Sequence, residues 1–305
     1  MEINIPGNPS TLVETPIEKN PNPIQPVTVD NDESEIQGLA REELNDPNKI
    51  QITIADKQNP IVVLFGPPAC GKTMTLIRLT RYLKMQNFKV EPITSFRPSV
   101  DTYYSNMCRE YNEMVNNNNA AGQTSRISFM LVRVIDDKGR TICQILEAPG
   151  ELYYDPNKPN ADFPRYVNAI KNGTNRKVWC YFVEPDWKDE ADRRGYADKI
   201  SSLKRNMKPV DKAVFVFNKI DLTPFVISPG QINKKQARRE VENLYPGIFE
   251  PFRSKGVFST SDNFEFVPFH TGDYSKTYAG EYTFEPGPDE YPRALWNVIK
   301  KLVRG

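Results

Sequence analysis

Two short segments of this sequence carry residue types at spacings suited to holding a phosphorylated ligand. GPPACGKT, Gly66 to Thr73, fits the pattern G-x-x-x-x-G-K-[ST] without departure. A loop that leaves a strand and enters a helix turns successive backbone N–H groups inward, forming a nest for phosphate oxygens at the positive end of the helix. In that arrangement Gly71 lets the backbone approach the phosphates, Lys72 reaches the β- and γ-phosphates, and the Thr73 hydroxyl binds Mg²⁺. Pro67 and Pro68 have no N–H, so the donors run from Ala69 through Cys70 and Gly71 to Met74. The second segment is NKID, Asn218 to Asp221, at the end of an apolar run. A carboxylate at Asp221 can accept from the N1–H and N2–H₂ edge of guanine, which adenine does not offer. The aliphatic stem of Lys219 can lie over a base, and Asn218 can tie the strand end to the phosphate loop. A plain strand-end turn is the alternative reading of this tetrapeptide.

The surrounding elements must bring these segments together. PIVVLFG (60–66) is a continuous apolar run ending in glycine, the pattern of a buried parallel strand. Residues 73–87 follow as an amphipathic helix with Met74, Leu76, Ile77, Leu79 and Leu83 as its apolar positions. Two β-rich runs within 127–150 flank DDKGR, whose Asp-Lys-Gly core suits a hairpin loop. Helix-like residues 161–172 precede a strand at 177–185. Beyond it, 188–207 reads as a helix, 211–221 as a strand, 233–245 as a helix and 264–270 as a strand. The segment 290–303 closes the chain as a helix with Asp289 as N-cap. Strands alternating with helices predict an α/β fold: a mostly parallel sheet covered on both faces, with 127–147 as one antiparallel edge hairpin. A long stretch, 97–126, separates the first helix from that hairpin. Tyr103, Met107, Tyr111 and Met114 recur there at helical spacing, ahead of the run Asn116 to Asn119. It reads as an inserted effector-binding helix or as a helix packed on its own domain.

Composition excludes other chemistry. The 305 residues carry 40 Lys+Arg against 39 Asp+Glu, a formal charge of +1, which offers no bulk attraction to nucleic acid or an anionic membrane. A lone histidine cannot build a multi-histidine zinc site, and Cys70, Cys108, Cys143 and Cys180 form no CxxC pair. Sparse, unclustered cysteine suits a reducing cytoplasm, so a cytoplasmic location is expected. No apolar run approaches the roughly 18 to 20 residues of a membrane span. The start, MEINIPGNPS, lacks the basic and apolar regions of a signal peptide. Residues 1–58 differ from the rest, with six prolines between Pro6 and Pro26 and no periodic apolar face. The expectation is a disordered Pro-rich arm over 1–58, either a partner-binding tether or a plain tail, ahead of a folded domain at 59–305. Within the arm, 33–43 has the character of a short helix, and Ile50 to Ile54 alternates like an edge strand.

The motifs, in this order and context, resemble the P-loop GTPase superfamily, with a Ras-like G domain over roughly residues 60 to 305 and an insertion around 97–126. The resemblance implies a three-layer fold, GTP or GDP as ligand, Mg²⁺ as cofactor, and a protein effector or partner reading the switch segments and the N-terminal arm. The phosphate-loop and NKxD motifs match fully, and the others depart. EAPG, Glu147 to Gly150, stands where the family has Asp-x-x-Gly. Glu147 is then the metal-side carboxylate, one methylene longer, and Gly150 the γ-phosphate contact. Glu151 stands where many relatives have a water-orienting glutamine; it would act as a base, or repel the γ-phosphate and slow hydrolysis. Pro68 sits where a small glycine often admits an arginine finger. Thr94, in ITSF, is the choice for the switch threonine that senses Mg²⁺, with Thr102 and Thr124 as rivals. His270 and Thr271 follow FEFVPF where relatives have Ser-Ala-Lys, which makes them base-side contacts by position alone.

These residues predict a nucleotide-dependent switch that hydrolyses GTP to GDP and phosphate. Lys72, Gly150 and Glu151 would serve the reacting phosphate, and Thr73, Glu147 and Thr94 the metal. Loops around 91–126 and 150–160 would be gated by the nucleotide. The departures at Glu147, Glu151 and Pro68 motivate a rival: a GTP-binding scaffold or assembly protein with little turnover. A P-loop ATPase or small-molecule kinase leaves NKID unexplained, and an interaction module without nucleotide requires both motifs to be accidents.

Overall fold

A computed structural model describes residues 39–116, 129–255, 260–276 and 282–304, all within one compact unit, residues 34–305. A short helix, α1 (Arg41–Asn45), precedes β1 (Ile61–Phe65), which leads through the phosphate loop into α2 (Lys72–Met85). The chain continues through β2 (Lys89–Pro92), α3 (Thr102–Asn116), β3 (Met130–Ile135), β4 (Thr141–Glu147) and α4 (Arg165–Asn172). Next come β5 (Lys177–Val183), α5 (Glu190–Arg205) and β6 (Lys212–Phe217). A small ribbon, β7 (Val226–Ser228) with β8 (Gln231–Ile232), leads to α6 (Lys234–Leu244). A second ribbon, β9 (Arg253–Lys255) with β10 (Thr260–Asp262), precedes β11 (Glu265–Pro268). A third, β12 (Asp273–Lys276) with β13 (Tyr282–Glu285), precedes α7 (Glu290–Arg304).

The central sheet has the order β11-β6-β5-β1-β4-β3-β2. From β11 to β4 the strands are parallel, whereas β3 is antiparallel to β4 and β2 to β3. Parallel pairing needs crossovers, and the intervening helices supply them. Every residue of IVVLF in β1 and of KVWCYFV in β5 is buried, as a sheet covered on both faces requires. This is the expected α/β arrangement, a mostly parallel sheet with antiparallel strands at one edge. The hairpin β3–β4, expected at the edge, carries β2 outside it. KVEP gave no apolar pattern because it is a half-exposed edge strand, where a proline is tolerated.

Aromatic residues fill much of the interior. The Phe65 ring, at the end of β1, is surrounded by those of Tyr153, Phe163, Trp179, Tyr181 and Tyr196. In α7 the stripe Leu295, Trp296, Ile299 and Val303 is buried, each side chain contributing about 1.5–3 kcal/mol of transfer free energy. The 97–126 segment resolves into α3, which packs on α2: the hydroxyls of Thr80 and Tyr111 are 2.5 Å apart, and Arg81 donates to Met114 O at 2.8 Å. Of the expected stripe, Met107, Tyr111 and Met114 are buried, whereas Tyr103 is exposed and Tyr104 takes the inward position. Residues 117–126 lie outside the described residues.

The described part of the expected arm is packed. Leu39 and Ile50 are buried in the domain core, and the Thr53 N–H donates to Phe96 O at 2.8 Å. Glu43 forms an ion pair with Arg97 at 2.6 Å. The arm reading is therefore corrected for residues 39–58, while 1–38 lie outside the described residues. The segment docks as extended chain through a few anchors, so its apolar residues show no helical period. Ile50 to Ile54 alternates in burial but is not a sheet strand; a helix at Arg41–Asn45 overlaps only the end of the one expected over 33–43, of which 33–38 lie outside the described residues. Among the described residues, no helix is long and apolar enough to cross a membrane.

Candidate functional site

Most candidate residues fall in loops leaving the C-terminal ends of β1, β4, β6 and β11, where parallel strands open a crevice. In the loop after β1, Ala69 (φ 59°) and Gly71 (φ 85°) are left-handed, the kind of alternation that makes a nest of N–H groups. Gly71 admits no side chain: a Cβ there would stand 2.1 Å from Asn218 Nδ2. The Thr75 N–H donates to Gly71 O at 2.9 Å, so α2 begins at the nest and directs its positive end there. The Lys72 side chain is buried and folds back on the loop, donating to Gly66 O at 3.1 Å and Pro67 O at 2.9 Å. Burial pushes the Cys70 thiol up to about 11, which leaves it protonated near neutral pH.

The end of β4 meets the start of α2. Thr73 Oγ1 donates to Glu147 Oε1 at 2.9 Å. Glu147 is buried, and its other carboxylate oxygen has no hydrogen-bond partner. Burial raises the carboxyl to about 7, with Lys72 and the Thr73 hydroxyl opposing the rise and Glu151 adding to it. Adjacent corners of an octahedral Mg²⁺ shell lie about 3 Å apart, so Thr73 Oγ1 and one Glu147 oxygen, 2.9 Å from it, have the spacing of two such ligands, and the carboxylate keeps an unpartnered oxygen. Gly150 presses on the phosphate loop, since a Cβ there would lie 2.2 Å from the Pro67 carbonyl carbon. Glu151 is exposed beside it.

Thr94 is not brought to this cluster. It opens a 3-10 turn just beyond β2, exposed to solvent. β2 stands three strands from β1, about 14 Å by strand spacing. The edge strand β2 is the physical reason, because it carries the chain to the far side of the sheet just before Thr94. Of the rivals, Thr102 starts α3, and Thr124 lies outside the described residues.

Across the crevice, the Asn218 N–H donates to Val183 O at 2.8 Å, and its side-chain amide donates to Cys70 O at 2.9 Å. Lys219 has a left-handed backbone, φ 54°, and its ammonium pairs with the buried Glu184. The loop after β11 is knitted to this turn: Phe269 N donates to Phe217 O at 2.7 Å, and Ile220 N to Phe269 O at 3.2 Å. That pairing puts His270 Nε2 3.6 Å from Asp221 Oδ1. Thr271 lies against the phosphate loop, its Cγ2 being 3.7 Å from where a Gly71 Cβ would stand. The Asp221 side chain is 33% exposed and offers acceptor oxygens to a ligand in the crevice. Sequence reasoning missed Glu184 and Tyr245. The only available signal was an acid closing the apolar run KVWCYFVEP.

No protein-family model and no curated protein matches the sequence. Among solved structures, the chain is similar to one described as nucleolar GTP-binding protein 1 from Plasmodium falciparum, with TM-score 0.39 and 14% identity over 83% of this chain and 90% of that one. It is also similar to Roco2 RocCORdC of Methanosarcina barkeri, solved bound to GDP, with TM-score 0.33 and 11% identity over 84% of this chain. The match spans about half of that second protein's chain, 52%.

Proposed function

We propose that this chain binds guanine nucleotide across the loops after β1, β6 and β11, with Mg²⁺, and hydrolyses GTP to GDP and phosphate. The observation that carries the reading is the 2.9 Å hydrogen bond from the Asn218 amide to Cys70 O. It ties the phosphate nest to the strand-end turn that carries Asp221. In this reading the N–H groups of Ala69 through Met74 receive the phosphate oxygens, and Lys72 exchanges the Gly66 and Pro67 carbonyls for the β- and γ-phosphates. Thr73 and Glu147 would hold Mg²⁺, which supplies charge neutralisation at the phosphates when bound. Asp221 accepts from the guanine N1–H and amino group, and His270 and Thr271 close the base side. Glu151, exposed beside Gly150, would orient water towards the γ-phosphate. Segments around 91–126 and 150–160 act as nucleotide-gated elements facing a protein partner, on a folded domain that takes in residues 39–58. The free, buried thiols fit a reducing compartment such as the cytoplasm.

Isothermal titration of the full chain with GTP, GDP and ATP in Mg²⁺ tests this. Guanine nucleotides should bind more tightly, and ATP binding equally well would refute the base assignment. The packing of Gly150 on Pro67, with Pro68 next to it, favours a second reading, a GTP-binding scaffold with little hydrolysis, because it leaves an arginine finger little room. Single-turnover phosphate release separates the two, since a scaffold would leave bound GTP intact over hours.

A further inference from the structure

We infer that Glu184 is a positioning residue for the base: it holds Lys219 so that the lysine stem forms the floor on which a purine ring lies. The inference rests on the nucleotide reading above and adds a residue to that site. Glu184 directly follows β5, which lies between β1 and β6, so it stands between the phosphate loop and the NKID turn. Its backbone is clamped on both sides by one buried hydroxyl: the Glu184 N–H donates to Tyr245 Oη at 3.3 Å, and that hydroxyl donates to Glu184 O at 3.0 Å. Its carboxylate meets the Lys219 ammonium in an ion pair whose two ends differ sharply in exposure, 5% for Glu184 and 36% for Lys219.

This asymmetry is what a platform needs. The ammonium is held on a buried carboxylate, the backbone end is fixed in a left-handed turn at φ 54° and ψ 38°, and the side chain between these two anchors keeps 36% of its surface open. A free lysine samples many rotamers, and fixing both ends removes that ordering cost from ligand binding. A buried carboxylate without a cation is strongly unfavourable, so Glu184 is suited to this position only with its partner. Lys72 does not compete for it, since its ammonium is engaged by Gly66 O and Pro67 O. Asp221 reads the edge of the base, whereas the Glu184–Lys219 pair presents a surface to its face. The two contributions are separable.

The experiment compares the full chain with its Glu184→Gln and Lys219→Met variants, measuring affinity for GDP, IDP and inorganic tripolyphosphate. Glu184→Gln should weaken GDP about tenfold, the worth of a hydrogen bond to a charged group, and leave tripolyphosphate within about twofold. The GDP:IDP ratio should not change, because inosine lacks only the amino group that Asp221 accepts. In the double variant, GDP binding should match Lys219→Met alone, because with the ammonium gone Glu184 has nothing to hold. Additive losses, an unchanged GDP affinity in Glu184→Gln, or equal losses of GDP and tripolyphosphate would overturn the inference and leave the nucleotide reading standing. An unaltered protein that holds tripolyphosphate yet binds no nucleotide would overturn both.

Discussion

Gly150 lies so close to Pro67 that a Cβ on it would stand 2.2 Å from the proline's carbonyl carbon. The end of the hairpin therefore rests on the phosphate loop, and any movement of one is felt by the other. The backbone conformation of Gly150 is ordinary, so space alone requires glycine here. Gly150→Ala should destabilise the fold by about 1–3 kcal/mol, the cost of overpacking. Because the methyl group pushes on the loop, tripolyphosphate and GDP should weaken together. Thermal unfolding and equilibrium titration read the two effects; a variant with normal affinity and stability would show that the loop yields freely.

Glu147 makes the metal-free protein sensitive to pH. Burial holds its folded carboxyl at about 7, above an ordinary 4.5, so folding takes up a proton between these values. Its contribution is intact below pH 4.5, is lost as pH rises through 7, and amounts to on the order of 3 kcal/mol. In chelator-treated buffer, wild type should lose stability from pH 5 to 8 relative to Glu147→Gln, which has no charge to bury. Mg²⁺ should restore the wild type at pH 8 and leave the variant unchanged. Parallel stability curves for the two proteins would contradict the assignment.

Arg97 ties residues 39–58 to the domain. Its guanidinium bonds both carboxylate oxygens of Glu43 at 2.6 Å, Asp101 at 2.8 Å, and Gln51 O at 2.7 Å. Arg97→Ala strands these two partly buried acids and should cost about 2–4 kcal/mol, a little less than breaking a fully buried pair. Urea unfolding measures the loss, and limited proteolysis should then cut within 40–58. Protection of that segment in the variant would mean that Leu39 and Ile50 suffice to hold it.

The Arg97 network also marks where the sequence stops being legible. β1, β5 and β6 could be read because strands buried on both faces are continuous apolar runs, and α7 because its stripe keeps the helical period. The phosphate loop and NKID could be read because backbone chemistry fixes their spacing. Glu43 and Arg97 are 54 residues apart, and nothing local in a Glu-rich, Asn-rich stretch announces such a pair. The same holds for Glu184, whose meaning depends on a lysine on another strand end and a tyrosine beyond α6. β2 was missed because an exposed edge strand needs no apolar alternation, and that omission misplaced Thr94.

The two ends of the crevice should fail in different ways. Lys72→Ala removes a cation at the phosphate end, so it should weaken GTP, ATP and tripolyphosphate alike, by about tenfold to a hundredfold for a charge-assisted contact. It also leaves Gly66 O and Pro67 O without their donor, so some of the loss will appear as reduced thermal stability. Asp221→Ala touches no phosphate contact and removes only the acceptors for guanine. It should lower affinity for GDP and GTP about tenfold and leave ATP and tripolyphosphate unchanged, erasing the preference between bases. The 33% exposure of Asp221 means that its removal strands little buried charge, so unfolding should not obscure the result. Titrating both variants against GDP, GTP, ATP and tripolyphosphate decides the matter: if Asp221→Ala weakens tripolyphosphate as much as GDP, this carboxylate supports the loop and does not read a base.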